Sequence, residues 1–239
     1  MLEPRMPKVV SPDTQPSNFC PGCGYGIILK VLGQVIDEME IAPRTVIGLD
    51  IGCNLLAWDY YKLDTIQTHH GRVTPTMSGY KRGQKDSVAI GIAGDGGLYA
   101  IGLQSLLHTA HRNEAITVIG VNNTIYAMTG GQAAPTTLPH EVTDTTPGGN
   151  FTAKEPVFGP GLVREVAAKG AFVGRASVNN IPVMKSMMKK AIEAQLKGNF
   201  ALLEILSYCP TNWKTDAVAT IEYVDKMAET FNLGVMADE

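Results

Sequence analysis

Residues 87–123 read SVAIGIAGDGGLYAIGLQSLLHTAHRNEAITVIGVNN, and the fold turns on this stretch. Ser87 to Ala93 is a short apolar run bounded by a polar segment and by glycines, the pattern of a buried strand. Gly94-Asp95-Gly96-Gly97 then turns the chain. Leu98 to Arg112 carries apolar residues at helical spacing, and Ala115 to Val121 is a second apolar run, ending at Asn122-Asn123. Strand, helix and strand in that order make one right-handed crossover between parallel strands.

Working outward, the same alternation continues on both sides. Upstream, Gly24 to Glu40 has helical spacing and Thr45 to Gly52 (TVIGLDIG) reads as a strand, followed by a polar stretch with His69, His70, Gly71 and Arg72 and a short helix near Thr74 to Gln84. Downstream, the Thr-, Gly- and Pro-rich segment from Tyr126 to Pro160 reads as a long ordered loop, because the alternation resumes after it. A helix at Gly161 to Gly170, a strand at Ala171 to Val178 and a helix at Pro182 to Lys197 follow, with Pro182 in a first turn. Phe200 to Tyr208 (FALLEILSY) is the last expected strand, and residues 214–232 form an amphipathic helix. The expected architecture is α/β: one domain with a mostly parallel sheet and helices on both faces. Its parts are a polar, Pro-rich arm over 1–19, a domain over 20–213, and a C-terminal helix within 214–239 packed on that domain.

With 239 residues, 44% of them hydrophobic, the chain can bury a substantial single core. A net charge of −3 gives no electrostatic case for nucleic acid or an anionic membrane surface. No apolar run approaches the roughly 20 residues needed to cross a bilayer, and Met1 to Phe19 lacks a secretory apolar stretch. A soluble, cytoplasmic protein without membrane or nucleic-acid partners is therefore expected.

The chain has four cysteines, Cys20, Cys23, Cys53 and Cys209. Cys20-Pro21-Gly22-Cys23 is a tight two-ligand loop, whereas Cys53 and Cys209 each close an apolar run, and Pro210 follows the latter. Structural zinc usually draws on two such knuckles, and here there is one. An iron-sulfur centre, a zinc site and unrelated thiols all remain open at this point.

A second constellation lies beside the first. Asp95 follows one strand and Asn123 the next, so both oxygen-bearing side chains emerge at the carboxyl edge of the sheet with Cys53 and Cys209. Such hard ligands suit Mg²⁺, which shares its shell with phosphate, and glycines before a helix N-terminus let backbone N–H groups approach a diphosphate. Gly-Asp-Gly by itself is a common turn; the paired asparagines after a matched crossover are what turn chemistry does not require.

Taken together, these segments resemble the thiamine diphosphate-binding β subunits of 2-oxoacid:ferredoxin oxidoreductases. The resemblance covers nearly the whole chain: CPGCG at 20–24, IGC at 51–53, HGR at 70–72, GDG at 94–96, NNTIYAMTGGQ at 122–132, APTTLP at 134–139 and YCP at 208–210. It implies a [4Fe-4S] cluster on Cys20, Cys23, Cys53 and Cys209, and Mg²⁺ on Asp95, Asn123 and the Ile125 carbonyl. Gly52, Cys53, Asn54, His70, Gly96, Gly97, Ala127 and Met128 are then expected to line thiamine diphosphate. His70 and Arg72 are candidates for catalytic contacts to cofactor or carboxylate, against the plain reading of solvated loop residues. The implied reaction is coenzyme A-dependent oxidative decarboxylation of a 2-oxoacid to acyl-CoA and CO₂, with electrons leaving through the cluster to ferredoxin.

Implied partners are an α subunit carrying the glutamate that contacts the pyrimidine ring, a γ subunit and a ferredoxin-like δ subunit. Some relatives acting on 2-oxoglutarate carry a basic residue just after the third cysteine and a Lys before the final Gly-Gln of the asparagine motif, where this chain has Asn54 and Gly130. Apolar Leu55, Leu56 and Trp58 favour a branched-chain substrate such as 2-oxoisovalerate; 2-oxoglutarate stays open, because a partner's arginines can bind a dicarboxylate. The competing functions are a non-redox thiamine decarboxylase or synthase subunit and a non-catalytic, zinc-stabilised binding module.

Overall fold

The computed structural model describes residues 6–14, 17–149 and 155–238. Parts of the expected arm (1–5 and 15–16) and of the expected loop (150–154), with residue 239, lie outside these. In chain order the elements are α1 (Tyr25–Glu38), β1 (Thr45–Leu49), β2 (Asp64–Gln67), α2 (Val73–Gly83), β3 (Val88–Gly94), α3 (Leu103–His111) and β4 (Thr117–Asn122). They continue with β5 (Ile125–Tyr126), β6 (Gln132–Ala133), α4 (Gly159–Val166), β7 (Phe172–Ser177), α5 (Ile181–Leu196), β8 (Ala201–Leu206), α6 (Pro210–Trp213), α7 (Ala217–Phe231) and β9 (Gly234–Asp238).

Seven strands form one sheet in the order β2-β1-β3-β4-β8-β7-β9. Every pairing is parallel except that of β7 with β9. The inner strands read as continuous apolar runs because both faces are covered. Alternate residues supply the two faces: Ile47, Ile90, Ile119 and Leu203 pack against α1, α5 and α7, whereas Val46, Ala89, Val118 and Leu202 pack against α2, α3 and α4. The described part of the arm belongs to the body, with Val9 and Val10 buried. The Lys62 N–H donates to the Val9 carbonyl at 2.7 Å, and the Ser11 N–H to the Tyr60 carbonyl at 2.9 Å.

Four features depart from the sequence expectation. Strand β1 stops at Leu49 and β8 at Leu206, so Cys53 and Cys209 sit further out, in the turns beyond the strands, instead of directly after their last residues. The helix expected over Leu98–Arg112 is split into a π-turn, Gly97–Ile101, and α3; such turns favour functional sites. Strand β2 was hidden in a short, half-exposed stretch. Strand β9 extends the C-terminal segment beyond its helix and pairs antiparallel along β7, covering an edge otherwise open to other chains.

Adjacency of β1, β3, β4 and β8 is what positions the site. Their register sets Leu49 beside Ile92, Gly94 beside Val121, and Asn122 beside Leu206. Four successive carboxyl ends therefore deliver Asp50 to Cys53, Asp95 to Gly97, Asn122 to Ile125, and Ser207 to Cys209 onto one rim.

Candidate functional site

A cavity of about 220 Å³ opens at this rim. Gly52, Cys53, Asn54 and His70 wall one side, and Asp95, Gly96 and Gly97 the floor. Asn123, Ile125, Ala127 and Met128 also line it, with Tyr25 and Tyr126. All of the expected cofactor-lining positions are thus brought together with the three expected oxygen ligands. Arg72 is not: its guanidinium donates to the carbonyls of Gly71, at 3.1 Å, and Ile101, at 2.9 Å, and it is absent from the lining.

Asp95 is buried, and the Thr136 hydroxyl donates to its carboxylate. Burial, reinforced by the nearby Glu204 and Glu141, pushes its carboxyl up to about 7, although the Thr136 and Gly96 hydrogen bonds oppose the shift. A buried carboxylate near other acids and short of cations is the electrostatic form of a cation site. The oxygen donor set fits Mg²⁺.

The glycines of the floor are required by close approach. A Cβ on Gly96 would lie 2.1 Å from the Tyr126 ring, and one on Gly97 would lie 2.0 Å from Asp50 Oδ2. Both positions must stay glycine for Tyr126 and Asp50 to sit where they do, which leaves bare backbone at the cavity surface of the kind that receives a diphosphate.

Asp50 was not singled out in the sequence, although a charged residue inside TVIGLDIG is a signal. Its side chain is fully buried; Oδ1 accepts the Gly71 N–H at 2.6 Å, and Oδ2 lies 3.5 Å from His70 Nδ1. Burial raises its carboxyl, with His70 opposing. His70 Nδ1 also donates to the Ile51 carbonyl at 3.1 Å. That bond leaves Nε2 of a neutral ring as an acceptor. Asn54 bridges β1 and β3 by donating to the carbonyls of Asp50, at 2.6 Å, and Ile92, at 3.2 Å.

Of the cysteines, Cys53 lines this cavity and Cys23 a neighbouring one. In the knuckle, the Cys23 N–H donates to the Cys20 carbonyl at 3.0 Å, and the next N–H, from Gly24, reaches Tyr208 at 3.3 Å, tying the knuckle to the turn that carries Cys209. Only glycine fits there, since a Cβ on Gly24 would lie 2.8 Å from the Tyr208 nitrogen. All four thiols are free, from exposed Cys20 to buried Cys209. Burial pushes Cys23 up to about 11 and Cys53 up to about 12, and in both cases the other cysteines add to the shift. Mutual repulsion of this kind places the sulfurs in one neighbourhood. Yet among the described residues no three His, Cys, Asp or Glu side chains lie close enough to hold a single metal ion. Thiolates around one zinc at Zn–S of about 2.3 Å stand roughly 3.8 Å apart, whereas a cluster spreads its ligands wider. Four thiols are a donor set that suits an iron-sulfur cluster as it suits zinc.

The family described as thiamine pyrophosphate enzyme, C-terminal TPP binding domain, matches residues 50–205. Ketoisovalerate oxidoreductase subunit VorA of Methanothermobacter marburgensis is 38% identical over 219 residues, which make up 89% of this chain and 46% of that protein. The 2-oxoglutarate synthase subunit KorB of Methanocaldococcus jannaschii is 35% identical over 206 residues, 85% of this chain and 73% of the relative. The 2-oxoacid:ferredoxin oxidoreductase subunit beta of Saccharolobus solfataricus is 31% identical over 213 residues, 88% of this chain and 67% of the relative. The chain belongs to the beta subunits of the 2-oxoacid:ferredoxin oxidoreductases.

This beta subunit spans about half the length of the VorA relative. Its fold is shared by a solved structure, a 2-oxoglutarate:ferredoxin oxidoreductase from Magnetococcus marinus with 2-oxoglutarate, coenzyme A and succinyl-CoA bound. The TM-score is 0.79 at 24% identity, covering 99% of this chain and 86% of the other. Among the described residues no helix of the beta subunit is long and apolar enough to cross a membrane. Besides Asp50, the site holds residues that no motif announced. Tyr25 lines the cavity and is buried, and burial, with Cys53, Cys23, Asp95 and Asp50 adding to it, pushes its hydroxyl well above the ordinary range. Glu141 and Asn212 reach the site from outside the cavity lining and had no local sequence signal.

Proposed function

We propose that this chain forms the thiamine diphosphate- and cluster-binding part of a coenzyme A-dependent 2-oxoacid:ferredoxin oxidoreductase. The observation that carries the reading is that Cys53 lines the same cavity as Asp95, Asn123 and Ile125. Asp95, Asn123 and the Ile125 carbonyl hold Mg²⁺; Gly96 and Gly97 receive the diphosphate; Gly52, Asn54, His70, Ala127 and Met128 flank the rest of the cofactor. Cys20, Cys23, Cys53 and Cys209 hold a [4Fe-4S] cluster. When bound, thiamine diphosphate supplies the electron sink for loss of CO₂ from a 2-oxoacid, and the cluster a route out for two electrons. The chain's own groups clamp the cofactor, fix the His70 tautomer and seat the thiolates beside the reacting end.

Residues 20–213 act as one cofactor unit, with the arm and the C-terminal segment packed on it. Asp95 is the only acidic residue that lines the cavity among the described residues, which supports a partner α subunit as the source of the pyrimidine-contacting glutamate; γ and ferredoxin-like δ subunits complete the assembly in the cytoplasm, with ferredoxin as acceptor. No described Lys or Arg lines the cavity, and Leu55 and Leu56 are half-buried beside it. With the VorA relative, this favours a branched-chain 2-oxoacid over 2-oxoglutarate.

Anaerobic purification with iron, sulfide and zinc analysis tests the centre. A colourless protein carrying zinc and no sulfide excludes the redox reading. A panel of 2-oxoacids with coenzyme A and a low-potential dye, run on the assembled complex, tests the substrate: turnover of 2-oxoglutarate ahead of 2-oxoisovalerate reverses the preference.

A further inference from the structure

The Asn212 side chain spans the two halves of the site. Its Nδ2 lies 2.8 Å from the Ala127 carbonyl and 3.6 Å from Cys209 Sγ. A primary amide carries two hydrogens on that nitrogen, so one group can serve both acceptors at once. Ala127 belongs to the segment that lines the cavity, and Cys209 is the buried thiol, three residues back across α6. The amide itself is half-buried, off the cavity wall. Its position follows from the turn after β8: Pro210 opens α6, and the Trp213 N–H donates to the Cys209 carbonyl at 3.0 Å, which holds Asn212 over the sulfur.

We propose that Asn212 is a positioning residue that couples the thiol centre to the cofactor loop, tuning the one and tethering the other through a single amide. The inference rests on the cluster reading above. A hydrogen bond to a ligating sulfur draws charge from the thiolate and so stabilises the reduced cluster, raising its potential. The bond to Ala127 fixes the loop that flanks the cofactor. Neither effect requires Asn212 to touch substrate.

The test compares the anaerobically prepared complex with its Asn212→Leu and Asn212→Asp variants, the latter close in size to Asn. Iron and sulfide are assayed first. Redox titration of the cluster signal and calorimetric titration with thiamine diphosphate and Mg²⁺ follow. Expected are wild-type iron content, a potential displaced to more negative values in both variants and further in Asp, and roughly three- to tenfold weaker cofactor binding, the size of one lost hydrogen bond. An unchanged potential, or unchanged cofactor affinity, overturns the proposal. Loss of iron in both variants overturns it too, since the amide is assigned tuning and tethering and not retention. An unaltered complex without iron or sulfide sinks the cluster reading itself, which separates that failure from failure of the Asn212 role.

Discussion

The Thr124 hydroxyl donates to the Glu141 carboxylate at 2.7 Å, and Thr124 holds a backbone φ of 62°. A β-branched residue in the left-handed region is strained and persists only where its surroundings enforce it. Here the strained residue stands between Asn123 and Ile125. The Thr137 hydroxyl donates to its carbonyl at 2.5 Å, and the second Glu141 oxygen accepts the Leu138 N–H at 2.9 Å. Glu141→Leu is expected to strand the Leu138 N–H and release the Thr124 hydroxyl, at a cost of about 1–3 kcal/mol. A lower denaturant midpoint checks the cost, and a weaker Mg²⁺ titration checks that the ligand turn has relaxed.

Asp95 gives a pH signature to the chain freed of divalent cation. Its folded carboxyl is raised by burial from an ordinary 3.8 to about 7. A carboxyl raised on folding contributes stability that is complete below its unfolded value and is lost as pH rises through the folded one. The cation-free chain is therefore expected to be less stable at pH 8 than at pH 5, by a margin that both Asp95→Asn and added Mg²⁺ reduce. Denaturant midpoints at the two pH values, with and without the cation, measure it. A pH dependence identical in the variant refutes the assignment.

Gly97→Ala tests the cradle. The added methyl would meet the Asp50 carboxylate, which is itself fixed by the Gly71 N–H. Overpacking of this kind costs about 1–3 kcal/mol. Cofactor binding measured by calorimetry is expected to fall by at least tenfold, with the far-ultraviolet dichroism of the sheet unchanged.

Arg175 and Glu204 face each other across β7 and β8, and both are buried. The Arg175 guanidinium donates to Glu204 and lies 5.2 Å from the Phe231 ring centroid. Removing one partner of a buried pair leaves an uncompensated charge, so Arg175→Ala is expected to destabilise by about 3–5 kcal/mol. Replacing both, as Arg175→Met with Glu204→Leu, is expected to recover most of that loss. Unfolding midpoints of single and double variants decide it.

How far the sequence could be read follows from which interactions are local. The β3-to-β4 unit was legible because two apolar runs and a helix of ordinary spacing lie within 37 residues, and the rim followed from parallel topology. Strand β2 (DTIQ) and strand β9 (GVMAD) were not, since their pairing, and not their composition, makes them strands. Arg175 and Glu204 each interrupt an apolar run, and only the register between the strands shows that they satisfy one another. Asn212, Glu141 and Thr136 sit in segments whose composition says only that they turn. Their roles arise from contacts with residues 17 to 85 positions away.

Strand β8 lies between β4 and β7 although it follows both in the chain. The sheet thus cannot grow by adding one neighbour at a time during synthesis. Until β8 threads into place, β4 and β7 each keep a bare hydrogen-bonding edge, and closing the sheet requires pairings between segments far apart in the chain. Slow refolding is the expected consequence.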